Sequence, residues 1–124
     1  MTQDMADLIN ELCADIYAAN VEAGWYTDLT TGERVVRNMG EQLCLVHSEI
    51  SEAMEGHRKG LQDDKLPHRK MIEVELADAV IRIMDIAGAH GMDLGGAIIE
   101  KLIYNAGRAD HKIENRLKVG GKKY

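Results

Sequence analysis

Residues 47–56, HSEISEAMEG, and residues 73–82, EVELADAVIR, carry the same device twice: Glu49 with Glu52, then Glu75 with Asp78, each pair three positions apart. A residue advances about 100° around an α-helix, so positions three apart stand about 60° apart on one side. Apolar residues recur beside them at helical spacing, Leu43, Val46, Ile50 and Met54 in the first case and Ile72, Leu76, Ala79, Ile83 and Ala87 in the second. Each stretch therefore predicts a long amphipathic helix with an apolar core stripe and acids held to one side of it.

The rest of the chain extends this pattern. Its 124 residues contain one proline and no phenylalanine, and Ala, Leu, Ile, Met, Glu and Lys are plentiful, a composition that favours an all-α fold. A first helix is predicted from Thr2 to Glu22, with Leu8, Leu12, Ile16 and Ala19 as its core stripe and Gly24 as its stop. The segment WYTDLTTGE, residues 25–33, reads as a turn-rich loop. The second helix is predicted from Glu33 or Val36 to Arg58, ending near Gly60. After the connection KGLQDDKLP, with Pro67 suited to the first turn of the next helix, the third runs from His68 to His90 and closes at Gly91. Asp93 caps a fourth that reaches about Arg108. Short connections between helices of this length predict antiparallel neighbours in a four-helix bundle. The length fits a single domain over residues 1–124, with a core of residues 33–111 and a basic tail, residues 112–124, expected to fray or to contact another subunit.

A formal charge of −6 argues against a nucleic-acid binder, whose affinity comes from a basic face. It leaves room for a small anion bridged by a bound cation. No apolar run approaches the ~18 residues of a membrane span, so no membrane partner is expected. Cys13 and Cys44 form no C-x-x-C motif and follow no secretory leader. They are read as buried structural thiols in a reduced, cytoplasmic setting.

Two readings of the acids stand open. Each pair is a solvated helix face, or the four carboxylates converge between antiparallel helices, where their repulsion calls for a cation. Oxygen-only ligands suit Mg²⁺ or Mn²⁺ rather than zinc. Di-iron chemistry wants Glu-x-x-His on two helices, which is missing, and His47, His57, His68, His90 and His111 make no H-x-x-x-H pair. On the fourth helix Lys101, Asn105 and Arg108 share a face at i, i+4 and i+7. They form an ordinary polar surface or a grip on phosphate oxygens. No Walker-type glycine loop is present.

Taken together, SEISEAMEGHRKG (48–60), EVELADAVIRIMDIAGAHGMDL (73–94) and EKLIYNAGR (100–108) resemble the MazG-like branch of the all-α nucleoside triphosphate pyrophosphohydrolases, over about residues 38–111. The resemblance implies Mg²⁺-dependent hydrolysis of a nucleoside or deoxynucleoside triphosphate to the monophosphate and pyrophosphate. It implies Glu49, Glu52, Glu75 and Asp78 as metal ligands, with Mn²⁺ as a substitute ion, and Glu49 and Glu52 as catalytic, Glu49 orienting or deprotonating the water. Lys101, Asn105 and Arg108 match the segment that contacts phosphate and sugar, and a homodimer or homotetramer is implied. Arg82 and Asp85, on the same seam as Glu75 and Asp78, either orient those carboxylates or pair with each other. Trp25 either stacks on a base or anchors its loop by packing. Narrower enzymes, a dUTP- or dCTP-preferring pyrophosphatase or phosphoribosyl-ATP pyrophosphohydrolase, fit the same motifs, and a non-catalytic nucleotide-binding or scaffold bundle is the reading from another class.

Overall fold

A computed structural model describes residues 2–124. The fold is all-α: α1 spans Gln3–Glu22, α2 Met39–Lys59, α3 Met71–Ala89, α4 Leu94–Gly107, and after a 3-10 turn at Ala109–His111 comes the short α5, Ile113–Arg116. No strand is present among the described residues, only isolated bridges between Thr27 and Arg34 and between Gln62 and Lys70. No helix is long and apolar enough to cross a membrane. The chain divides into two compact units, Leu12–Met92 and, separately, the residues up to Glu11 together with Asp93–Tyr124.

In the first unit α2 and α3 pack along each other. Gly56 faces Met71 and Glu49 meets Arg82, so residue numbers fall on one helix as they rise on the other and the pair is antiparallel. The caps set the lengths. Asn38 accepts a hydrogen bond from the Glu41 N–H at 3.0 Å and starts α2, while Gly60, at φ 62°, ends it in the left-handed conformation that glycine adopts without strain. Residues 33–38, predicted as the start of this helix, are instead extended, because Arg34 pairs back onto Thr27 and the Asn38 cap comes only afterwards. Pro67 likewise lies outside α3. It belongs to a loop closed by the Gln62–Lys70 bridge, in which the Asp63 carboxylate accepts from the N–H groups of Lys65 and Leu66 at 3.0 and 2.7 Å.

The predicted core stripes hold only in part: Ala79 and Ala87 of the α3 stripe are buried as predicted, while the larger residues are not. The buried side of α2 is Gln42, Glu49, Ala53 and Gly56, and that of α3 is Glu75, Ala79, Asp85, Ile86 and Ala87. Leu43, Ile50 and Met54 are exposed, as are Leu76 and Ile83 on α3 and Leu8 and Leu12 on α1. Among the described residues the buried apolar set is Ala6, Cys13, Tyr26, Ala53, Ala79, Ile86 and Ala87, with no leucine in it. Small residues hold the contacts because they let backbones approach. A methyl at Gly88 would strike the Cys13 carbonyl and the Tyr17 side chain, and one at Gly56 would lie 2.8 Å from the Met71 side chain. Cys13 is buried at such a contact, whereas Cys44 is exposed, against the expectation for both thiols.

In the second unit Asp93 caps α4 as predicted, accepting from the Gly96 N–H at 2.8 Å, and Asn10 bonds both Asp93 and the Gly95 N–H. The tail, expected to fray or to contact another subunit, carries contacts of its own. It folds back so that the Arg116 guanidinium donates to the carbonyls of Lys122 and Lys123, each at 3.0 Å.

Gly95 lies against the Ala6 backbone with no room for a methyl, while Gly107, on the same helix, has open space around it. Gly95→Ala is expected to destabilise by about 1–3 kcal/mol, and Gly107→Ala to be neutral or to stabilise by up to about 1 kcal/mol. Urea denaturation followed by circular dichroism measures both.

Candidate metal centre and adjoining cleft

The acid pairs on α2 and α3 do converge. Glu49 faces α3 from the buried side of α2, Glu52 lies one turn on at the exposed margin, and Glu75 answers them from the buried side of α3. One carboxylate oxygen from each of the three lies within 4.8 Å of the others. Asp78, the next acid along α3, lines the same acidic recess without joining that trio.

Their electrostatics follow from this crowding. Burial, reinforced by the neighbouring carboxyls of Glu49 and Glu52, pushes Glu75 up to about 8. Burial and the charge of Glu49 also raise Asp78, and the Arg82 guanidinium opposes them. Arg82 is the one cation joined directly to the set, its Nε donating to Glu49 Oε1 at 2.8 Å. It pairs with Glu49, so the internal Arg82–Asp85 bridge is not formed. The donors are all hard oxygens from rigid helices, two of them buried and close enough to share one ion, and this set fits Mg²⁺ or Mn²⁺.

Glu49 and Asp78 also line a second recess, a cleft of about 490 Å³, within the size range of small-molecule sites. Asn20, Trp25 and Arg37 form one side, and Leu45, Ile81, Arg82 and Asp85 come from the helices. Trp25 is 67% exposed, so its indole is not buried as a packing anchor.

Behind this cleft runs a buried chain of hydrogen bonds. Gln42 Nε2 donates to the Tyr26 hydroxyl at 3.2 Å, and that hydroxyl donates to Asp85 Oδ2 at 2.7 Å. Asp85 is therefore held by Tyr26, and its hydrogen bond runs to that residue, not to the acids of the candidate metal site. Its other oxygen, Oδ1, is buried with no partner, as is Gln42 Oε1. The Tyr17 and Tyr26 rings meet edge to face at 5.0 Å, Arg34 lies over both, and Arg37 lies over Tyr26 at 5.7 Å. Sequence reading missed Asn20, Tyr26, Arg37 and Gln42. Tyr26 lay in a stretch read only as turns, and Arg37 was absorbed into the helix predicted from Glu33 or Val36.

Lys101, Asn105 and Arg108 belong to the other unit. Lys101 Nζ lies 4.7 Å from the Tyr104 ring centroid and the Arg108 guanidinium 5.8 Å from it, so these two cations flank one ring. Arg108 stands just past the end of α4 with its fork engaged by Asp110, at 3.0 and 2.7 Å. Asn105 Oδ1 is buried without a partner. Compared with protein-family models, curated proteins and solved structures, the chain has no match.

Tyr26 is pushed up to about 12 from the ordinary 10.0, first by burial and then by its hydrogen bond to Asp85. The folded state thus binds this proton more tightly than the unfolded chain does. The resulting stability is fully present below pH 10 and is lost as pH rises through about 12, at about 1.4 kcal/mol per unit. Urea denaturation between pH 9 and 12 should show this decline in the parent and lack it in Tyr26→Phe, which should itself be about 1–3 kcal/mol less stable at neutral pH.

Proposed function

We propose that the chain is a Mg²⁺-dependent nucleoside triphosphate pyrophosphohydrolase of the MazG-like type, built as an oligomeric four-helix bundle. The observation that carries this reading is the convergence of Glu49, Glu52 and Glu75 at the edge of a nucleotide-sized cleft. Three acids that repel one another and share one point are costly to keep unless they hold a cation. A divalent ion there supplies charge neutralisation for the polyphosphate and acidifies a bound water.

The chain's own residues divide the remaining tasks. Arg82 fixes Glu49 Oε1, which leaves Oε2 to orient the attacking water and accept its proton. Glu49 suits that role because it borders both the acidic recess and the cleft, the place where water and the α-phosphate meet. Glu52, Glu75 and Asp78 complete the ligand set. Arg37 and Arg82 offer donors to phosphate oxygens within the cleft, and the exposed face of Trp25 is a platform for a base. Lys101, Asn105 and Arg108 are retained as contacts to phosphate and sugar on the strength of the motif resemblance.

Oligomerisation is supported by the displaced apolar stripes. Ile50 follows Glu49 and Leu76 follows Glu75, each about 100° further round its helix. In an antiparallel pair, equal rotations from facing positions land on the same side, so Leu43, Ile50 and Met54 join Leu76, Val80 and Ile83 in one exposed apolar face. A second copy covers such a face most simply, as a homodimer or, with further pairing, a homotetramer.

Chromatographic analysis with each common NTP and dNTP should show monophosphate and pyrophosphate only when Mg²⁺ or Mn²⁺ is present. Glu52→Gln and Asp78→Asn should keep the helical spectrum and lose at least about 100-fold in rate. Parental rates in both variants would remove these residues from the site. Met54→Lys should convert the assembly into a smaller species by analytical ultracentrifugation, and an unchanged mass would place the interface elsewhere.

A further inference from the structure

Two arginines of the first unit have no acid to answer them. Arg34 and Arg37 make no ion pair among the described residues, although the chain carries 21 Asp and Glu against 15 Lys and Arg. Their places are fixed from the backbone outward. Arg34 pairs with Thr27, and the Val35 N–H donates to the Tyr26 carbonyl at 2.9 Å, so the run that carries both arginines is tied beside Tyr26. The Arg34 guanidinium donates to the Tyr17 hydroxyl and lies over two rings, 5.8 Å from the Tyr17 centroid and 5.5 Å from that of Tyr26. Arg37 lies 5.7 Å from the Tyr26 centroid, so both cations converge on one ring. Stacking holds a guanidinium by its face and leaves N–H groups on its edge to donate.

Both arginines line one cavity of about 120 Å³, together with Tyr17, Tyr26, Gln42 and His90, and no carboxylate stands in its wall. Like charges gathered at one cavity repel, and an anion among them removes that cost. The volume is well under the roughly 300 Å³ at which small-molecule pockets begin, which suits a small ion and not a nucleoside. We propose that this cavity is a site for a phosphate-type oxyanion, gripped by the guanidiniums of Arg34 and Arg37 with His90 at its margin. Arginine forks match such oxygens two at a time. The site rests on its own geometry and stands whether or not the chain hydrolyses nucleotides. Arg37 also lines the larger cleft beside Glu49 and Asp78. The occupant is therefore free phosphate or pyrophosphate, or the end of a polyphosphate that enters by way of the cleft.

The test uses the full chain without divalent metal, so that the acids of α2 and α3 recruit no phosphate. Calorimetry with inorganic phosphate should show one site with a dissociation constant of about 1 mM or below. Arg34→Gln should weaken binding by about 10- to 100-fold, and Arg34→Lys, which keeps the charge without the fork, should restore part of the loss. In heteronuclear NMR spectra of the parent, phosphate should shift the Nε–H resonances of Arg34 and Arg37, a readout that needs no variant to fold. Pyrophosphate that moves both resonances while ATP moves neither makes the occupant a free ion. ATP that moves them while AMP leaves them still makes it the end of a bound polyphosphate. The assignment is overturned by a parent without saturable phosphate binding, by parental affinity in folded Arg34→Gln, or by shifts confined to the basic tail around Arg116.

Discussion

Two carboxyl groups, Glu49 and Glu75, are buried where α2 and α3 meet, and much of the first unit is arranged around that fact. Like charges in a low-dielectric contact repel, so each carboxyl disfavours the ionised form of the other. One remedy is local, the Arg82 guanidinium on Glu49. The packing sharpens the repulsion: Ala53, Gly56 and Ala79 keep the helices close, so that the acids are brought within reach of one point.

That solution displaces the hydrophobic residues. A helix has one side to give to its partner, and here polar and small residues occupy it. Leu43, Ile50, Met54, Leu76 and Ile83 are left on the flank, where they form a surface, while Ile86 is buried. Composition and geometry are thus linked: gathering acids and small residues in the contact is also what leaves an apolar face on the outside of the helix pair. The cleft shows a similar division, with charged groups toward Glu49 and Asp78 and a wall of Trp25, Leu45 and Ile81 beside the Tyr26-anchored Asp85.

Helices were legible in the sequence because their stops are chemical. Gly24, Gly60 and Gly91 all take positive φ, and Asp93 caps α4. The spacing of the acids was legible too, since helical periodicity fixes which side chains share a side. Which side faces inward was legible only in part, at Ala79 and Ala87 of α3. Periodicity assigns the apolar stripe to the interior, and that rule fails when the interior is built from Ala, Gly and acids. The partners of Asp85 and Arg82 were also hidden, because Tyr26–Asp85 and Glu49–Arg82 join residues far apart in sequence. The short extended run at residues 33–38 was lost to a helix because its cause, the pairing of Arg34 with Thr27, lies across a loop.

The connection between α2 and α3 is fastened at its own base. The Gln62–Lys70 bridge and the bonds from the Lys65 and Leu66 N–H groups to Asp63 close the loop before its tip is reached. The register of Glu49 and Glu52 against Glu75 is therefore insulated from whatever the tip contains. The Gln62–Lys70 bridge is made by backbone groups, so Asp63 is the residue whose side chain carries the fastening and whose replacement loosens it.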